Sequence, residues 1–302
     1  MGSDLYSRER ARRVEPSNAG SSPAGALLVA CLLVDVTLVV LSVVAGLVLG
    51  EELEPVVAQV PELKRLRLPL WGCASCGASR RAGGIWGLVP IAGALRVRRA
   101  CPSCGVTPEH PWRPLGLASV SAVVFAALGL RLGPHLDLVA YDALALGLVA
   151  ISAIDLEKLI VPVRVLYPTL LVTAALLTAS SVLDGRLGPL WRAVVVGAAS
   201  SAVFLCIHLV QPRGMGFGDV RLAGLVGFGS AWLGDGWHAV SRAGVAFLAA
   251  FVLGALIGLV VMAASGTGRK TRIPFAPFLA SGAIVSVLWG APIAHAWLGR
   301  FG

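Results

Sequence analysis

Two aspartates carry the chemistry this sequence offers. Asp219 ends the stretch Gly214-Met215-Gly216-Phe217-Gly218-Asp219, just after an apolar run that closes near Leu209. Asp155 closes another apolar run, in Ile154-Asp155-Leu156-Glu157-Lys158-Leu159-Ile160-Val161-Pro162, 64 positions earlier. An ionised carboxylate at membrane depth is costly, so acids placed there point to function. Two carboxyls held close cannot both ionise cheaply, and they share a proton. The ionised member can take a proton from water while the protonated one donates to a scissile carbonyl. That is the chemistry of an aspartate-dependent protease working inside a membrane. Which aspartate is acid and which is base does not follow, because such a pair titrates as a unit. The plainer alternative is an Asp219 that caps a helix and an Asp155 paired with a cation.

The residues around the pair suit the first reading. Pro162 ends any helix soon after Asp155. Gly214, Gly216 and Gly218 let the chain bend and let another segment approach closely. Irregular backbone at membrane depth is tolerated only where it is buried in protein or lines a wet cavity. A protease in lipid needs such a cavity to bring water to a peptide bond.

Long apolar helices must position these acids. The 302 residues are 57% hydrophobic and 14% charged, with a mean hydropathy of +0.82. A soluble protein of this length would carry more charge. Several runs meet or approach the roughly 20 apolar residues that cross a bilayer. The expected fold is all-α and polytopic, with about eight transmembrane helices. The spans fall at 25–50, 114–132, 138–154, 163–183, 190–210, 220–233, 240–264 and 275–298, the sixth of them short and Gly-rich. The first run exceeds the core of a signal peptide and lacks a clear cleavage site, so it is read as a retained span. Residues 1–24 form a flexible amino-terminal tail, 51–113 a polar cysteine-containing loop, and 114–302 the membrane domain that holds both aspartates.

The formal net charge of +9 sits in loops. That is the positive-inside pattern of a membrane protein, and it replaces nucleic acid with lipid as the partner. With the amino terminus outside, the 51–113 loop, the Asp155 and Asp219 loops and the Arg269-Lys270-Thr271-Arg272 loop fall inside with 16 of the 25 Lys and Arg residues. Both aspartates then face the cytoplasm, although the count used no aspartate. Arg269 to Arg272 reads as a topology anchor.

Other candidates have blander readings. Asp142 lies near the start of its span and can reach the outer interface. Asp35 sits deeper and calls for a polar partner on another helix. Cys31 and Cys206 lie in apolar runs as small core residues. Ser281 with His295 would be the pair for a serine-type protease. His208 and His238 read as helix-end polar residues. A transporter could also place acids beside broken helices, but it predicts internal pseudo-symmetry that the sequence does not display. A third alternative is a non-catalytic assembly protein.

Four cysteines form a second constellation. Cys73-Ala74-Ser75-Cys76 and Cys101-Pro102-Ser103-Cys104 are two C-x2-C pairs with 24 residues between them, each followed by glycine. Such spacing can close a tetrahedral structural zinc site in a knuckle-like loop. Idle thiols or redox pairs are the alternatives. Disulfides do not suit a reducing cytoplasm.

These residues together resemble the type IV prepilin peptidases, a branch of the GxGD aspartyl proteases. Ala153-Ile154-Asp155 with Ile160-Val161-Pro162 is similar to the family's first catalytic segment. Gly214 to Ala223, read as Gly-Met-Gly-Phe-Gly-Asp-Val-Arg-Leu-Ala, is similar to the second. Ile273-Pro274-Phe275-Ala276-Pro277-Phe278-Leu279-Ala280-Ser281-Gly282 resembles the carboxy-terminal signature. The resemblance runs from about Leu115 to the end and is weaker before it. It implies a multi-pass protein of the bacterial cytoplasmic membrane that cuts the basic leader from prepilins or pseudopilins at the cytoplasmic face. Asp155 and Asp219 would be the catalytic pair, with Gly216 and Gly218 shaping the loop that aims Asp219.

In that family the cysteine loop often serves a second activity, methylation of the new amino terminus with S-adenosylmethionine. Here the sequence departs from the pattern. It has Gly50-Glu51-Glu52-Leu53-Glu54-Pro55 where the family has a Gly-Ser-Phe-x-Asn-like stretch, and Gln59 in place of an arginine before Val60-Pro61. Leu88-Val89-Pro90 and Trp112-Arg113-Pro114-Leu115-Gly116 replace two further polar elements. A peptidase with weak or absent methyltransferase activity is the expectation, and no cofactor-binding residue is assigned.

Overall fold

The computed structural model describes residues 23–60, 103–105, 110, 112–212, 215–265 and 273–298, with backbone only at 23–32, 265 and 297–298. Every element among them is helical. In order these are α1 (Pro23–Glu51), α2 (Glu54–Gln59), α3 (Arg113–Leu132), α4 (Leu136–Lys158), α5 (Val163–Leu183), α6 (Gly188–Val210), α7 (Phe217–Trp232), α8 (Trp237–Ser265) and α9 (Ala276–Leu298). Proline in the first turn starts α2, α3 and α6, where its missing N–H costs nothing.

Seven described helices are long and apolar enough to cross a membrane. The sixth expected span is α7, and it is shorter than a span: 16 residues, or about 24 Å at 1.5 Å per residue, against a core of about 30 Å. It survives as a membrane-depth helix because protein surrounds it. Twelve of its sixteen residues are buried, from Asp219 to Trp232. The chain is thus a multi-pass membrane protein built around one short inner helix.

The main core joins α3, α4, α7 and α9 through fully buried Phe125, Leu128, Leu144, Leu148, Leu222, Leu225 and Leu279. The apolar side chains left outside, such as Leu41, Leu130, Leu171, Val203 and Leu259, cover the surface that lipid would wet. Asp35 is exposed on α1 and has no partner among the described residues, so the expected helix-to-helix pairing is not met. Residues 1–22, Cys73, Cys76 and Cys101, residues 88–90, Gly214 and the 269–272 basic stretch lie outside the described residues, as does the side chain of Cys31.

Without a hydrophobic driving force between helices in lipid, close backbone approach holds neighbours together. Along α1, Ser42, Gly46 and Gly50 share one face at intervals of four. They meet Gly129, Ala122 and Ala118 of antiparallel α3. A Cβ on Gly46 would stand 2.6 Å from the Ala122 Cα, and one on Gly50 2.8 Å from the Ala118 Cα. Gly46→Leu should therefore push α1 off α3 at a cost of about 1–3 kcal/mol, read as a melting temperature several degrees lower in detergent; an unchanged melting temperature would show that the contact is looser than described.

Candidate active site

Asp155 lies in the last turn of α4, one turn from where the helix stops. The stop is local. Leu159 takes a left-handed conformation at φ 55° and sends its N–H to the Asp155 carbonyl at 2.9 Å. For a leucine this costs about 1–2 kcal/mol, which the surrounding packing must offset. Pro162 then sits extended as the cap residue of α5.

The Asp155 side chain is 4% exposed. Its Oδ2 accepts the Ala276 N–H at 2.9 Å. Ala276 opens α9, so its N–H has no acceptor within its own helix. Asp155 thus caps a helix remote in sequence. Among the described residues it pairs with no cation, contrary to the plainer alternative.

Asp219 stands at the third position of α7. Its backbone N–H donates to the Gly216 carbonyl at 3.1 Å, and its Oδ2 accepts the Gly216 N–H at 3.2 Å. This is the carboxylate half of a capping box, with glycine where a hydroxyl would stand. So the capping alternative does hold for Asp219, without removing it from Asp155. The two carboxyls are near enough to interact electrostatically. Each receives a backbone N–H from the opening of a helix.

The glycines divide the work. Gly216 is extended at φ −71°, a conformation open to any residue, and a Cβ there would stand 3.4 Å from the Asp219 Oδ2. Gly218 is required by proximity: its Cβ would lie 2.7 Å from the Val161 Cβ. The segment after Asp155 and the segment before Asp219 are pressed together at that point.

Three supports were not visible in sequence. First, the α1–α2 elbow packs behind the Asp155 helix, in a small cluster of Leu53, Val57, Val60, Leu117, Ala150 and Ile154. Arg113 closes that cluster, with Nη2 2.8 Å from Glu157 Oε2 and Nη1 3.7 Å from Glu54 Oε1. The ion pair at this end of the bundle thus belongs to Glu157, two residues past Asp155. Second, Ser201 of α6 donates to the Val220 carbonyl at 3.1 Å. Third, His208 does more than sit at a helix end. Its Nδ1 meets the Met215 carbonyl at 2.8 Å, and its ring stands edge-on to Phe217 with centroids 5.7 Å apart.

The remaining candidates lie elsewhere. Asp142 is 13 residues before Asp155 on α4, about 20 Å away. The residue is half-buried, and its Oδ1 is enclosed with no hydrogen-bond partner among the described residues. Ser281 and His295 are 14 residues apart on α9, about 21 Å. Ser281 donates to the Pro277 carbonyl at 2.8 Å, and His295 stacks on His238 at 4.4 Å; these two residues do not form a nucleophile–base pair. Cys104 and Cys206 are both exposed.

A model of the type IV leader peptidase family matches residues 143–262, which hold both aspartates. The chain is 30% identical to the prepilin leader peptidase/N-methyltransferase of Bacillus subtilis (strain 168) over 251 residues, 82% of this chain and 93% of that protein. It is 33% identical to the protein of that name from Burkholderia pseudomallei (strain 1026b) over 239 residues, 77% and 71% of the two chains. The like-named protein of Pseudomonas aeruginosa is 29% identical over 254 residues, 83% and 80% of the two. No solved structure matches the chain.

The Val161 contact can be checked directly. Gly218→Ala should cost about 1–3 kcal/mol, because the obstructing atom is a Cβ held to the backbone. Val161→Gly in the same chain removes that atom and should restore most of the lost melting temperature. A double variant no more stable than Gly218→Ala alone would contradict the geometry.

Proposed function

The chain belongs to the type IV leader peptidase family, and from that premise we propose that it cleaves the leader from prepilins or pseudopilins, with Asp155 and Asp219 as the catalytic pair. The observation that carries this reading is the convergence of two buried carboxyls from α4 and α7, each held through one oxygen by a helix-opening N–H.

The steps follow from that arrangement. A water between the carboxyls gives a proton to the ionised aspartate, and its oxygen bonds to the scissile carbonyl carbon. The protonated aspartate donates to the carbonyl oxygen as charge develops there. On collapse a hydroxyl of the tetrahedral intermediate returns its proton to the ionised aspartate as the C=O re-forms, the C–N bond breaks, and the leaving amine takes the proton of the other aspartate. The substrate is a short basic leader ahead of an apolar helix, cut at the junction on the cytoplasmic face. Exposed Leu156, Leu159, Ile160 and Phe217 border the aspartates and suit the apolar side of that junction.

We further infer that amino-terminal methylation by this chain is weak or absent. Glu54 and Arg113 stand where the family has other polar elements, and they are joined to each other and to Glu157 rather than aimed at open space. The two Cys-x2-Cys pairs are proposed, on spacing alone, to hold a structural zinc ion by four thiolates.

Co-expression with a prepilin should give a mobility shift with the wild-type chain and none with Asp155→Ala or Asp219→Ala. Unimpaired cleavage by either variant would exclude the pair. Incubation of the purified protein with cleaved pilin and labelled S-adenosylmethionine should leave the new amino terminus unlabelled or nearly so, and robust labelling would refute the second reading.

A further inference from the structure

We propose that His208 is a positioning residue for Asp219, acting through the peptide unit between Met215 and Gly216. The proposal rests on the reading of Asp219 as catalytic. His208 lies in the last turn of α6, and the chain returns beside it seven residues later. Its Nδ1 stands 2.8 Å from the Met215 carbonyl oxygen. A carbonyl only accepts, so Nδ1 carries the proton and donates.

The next atom pair along the chain makes the contact matter. The Met215 carbonyl and the Gly216 N–H belong to one planar unit, and in a trans peptide they point in opposite directions. The carbonyl is drawn toward α6. The N–H is therefore aimed the other way, and it donates to the Asp219 Oδ2 at 3.2 Å. One rigid plane thus links the imidazole to the carboxyl, as His208 Nδ1–H to Met215 O, then Gly216 N–H to Asp219 Oδ2.

The plane needs such an anchor. Gly216 has no Cβ to resist rotation of the peptide ahead of it. If the plane turns, Asp219 loses the amide that fixes its carboxyl. Hydrogen bonds in series also polarise one another, so a donor on Met215 O strengthens the Gly216 N–H as a donor. The imidazole is itself held in place. It stands edge-on to Phe217 at an interplanar angle of 61°, and the Arg221 guanidinium lies 4.6 Å from the centroid of that same ring. Phe217 opens α7, so histidine, loop and catalytic helix form one unit.

The proposal separates from a mere packing role through three variants assayed on a purified prepilin substrate in detergent. His208→Phe keeps a ring against Phe217 and removes the donor. His208→Ala removes both. His208→Asn restores an N–H close to the position of Nδ1. With rates taken per folded protein, from the melting transition of each variant, His208→Phe and His208→Ala should lose about tenfold or more in kcat, with KM within about threefold of wild type. His208→Asn should recover most of that kcat. The proposal is overturned if His208→Phe turns over at the wild-type rate, if the losses lie in KM, or if His208→Asn is no better than His208→Phe. Asp219→Ala is run alongside. If it still cuts, the underlying catalytic reading has failed. If it is dead while His208→Phe is unimpaired, only the role given to His208 has failed.

Discussion

A helix that ends inside a packed bundle leaves amide donors that its own turns cannot satisfy, and a buried carboxyl there lacks a partner in the same way. This structure uses each problem to solve the other. α9 opens on Ala276, whose N–H goes to Asp155. α7 opens on a glycine loop, whose Gly216 N–H goes to Asp219. An unmade hydrogen bond in a dry interior costs several kcal/mol, so neither the acid nor the helix opening is stable alone when buried there. The rest of the fold follows from this pairing. α4 must stop one turn after its acid, α7 must start within reach of it, and α9 must begin at the same level.

Bringing three helix ends to one point requires backbones that approach closely, and small residues supply that approach. On the α6–α7 seam, a Cβ on Gly197 would meet the Gly224 carbonyl at 3.0 Å, while Ser200 and Ser201 fill the space opposite Gly227 and Gly224. This seam seats a helix too short to span a bilayer, with its amino terminus against Val161. Small residues therefore decide where Asp219 stands as much as the turn that carries it. The same device docks α1 on α3. That contact brings the α1–α2 elbow behind Ile154, so the first span reaches the site through packing and not through chemistry.

Much of this was legible in the sequence. Apolar runs mark helices because lipid demands them, and the described ends lie within a few residues of the expected ones for most spans. The aspartates stood out because acids beside Gly and Pro are rare inside such runs. What stayed hidden depends on contacts between distant segments. Hydropathy could not tell that α7 is short and enclosed, because a helix buried in protein and one facing lipid are both apolar. That Asp155 caps α9 across 121 positions leaves no local trace; its only sign was the Ile273-Pro274-Phe275-Ala276 stretch, whose role as a donor was not readable. His208 read as a helix-end polar residue since nothing in its neighbourhood points to Met215. Arg113 read as a departure from a family pattern, and its ties to Glu54 and Glu157 join three segments.

The far end of the bundle is held by a different kind of contact. Pro292 cannot donate to the Leu288 carbonyl one turn earlier, and the Arg131 Nε takes that oxygen at 3.0 Å. Arg242, only 3% exposed, donates to the Ser286 and Val287 carbonyls at 3.0 and 3.3 Å, and Ser286 returns a hydrogen bond to the Arg242 carbonyl. Tyr141 donates to the Gly229 carbonyl at 2.6 Å. Long cationic and phenolic side chains thus lace α3, α4, α7, α8 and α9 together at that level. Tyr141 is 14 residues before Asp155 on α4, about 21 Å away, and Arg242 is its electrostatic neighbour. The separation matters, because a guanidinium within about 4–6 Å of a carboxyl stabilises its charged form. Beside Asp155 or Asp219 it would hold that member ionised, and under the proposed mechanism the pair could then not share a proton. Near the aspartates the cationic contacts go to neighbouring groups, Arg113 to Glu157 and Arg221 to the Phe217 ring, while Asp155 and Asp219 themselves accept main-chain N–H groups.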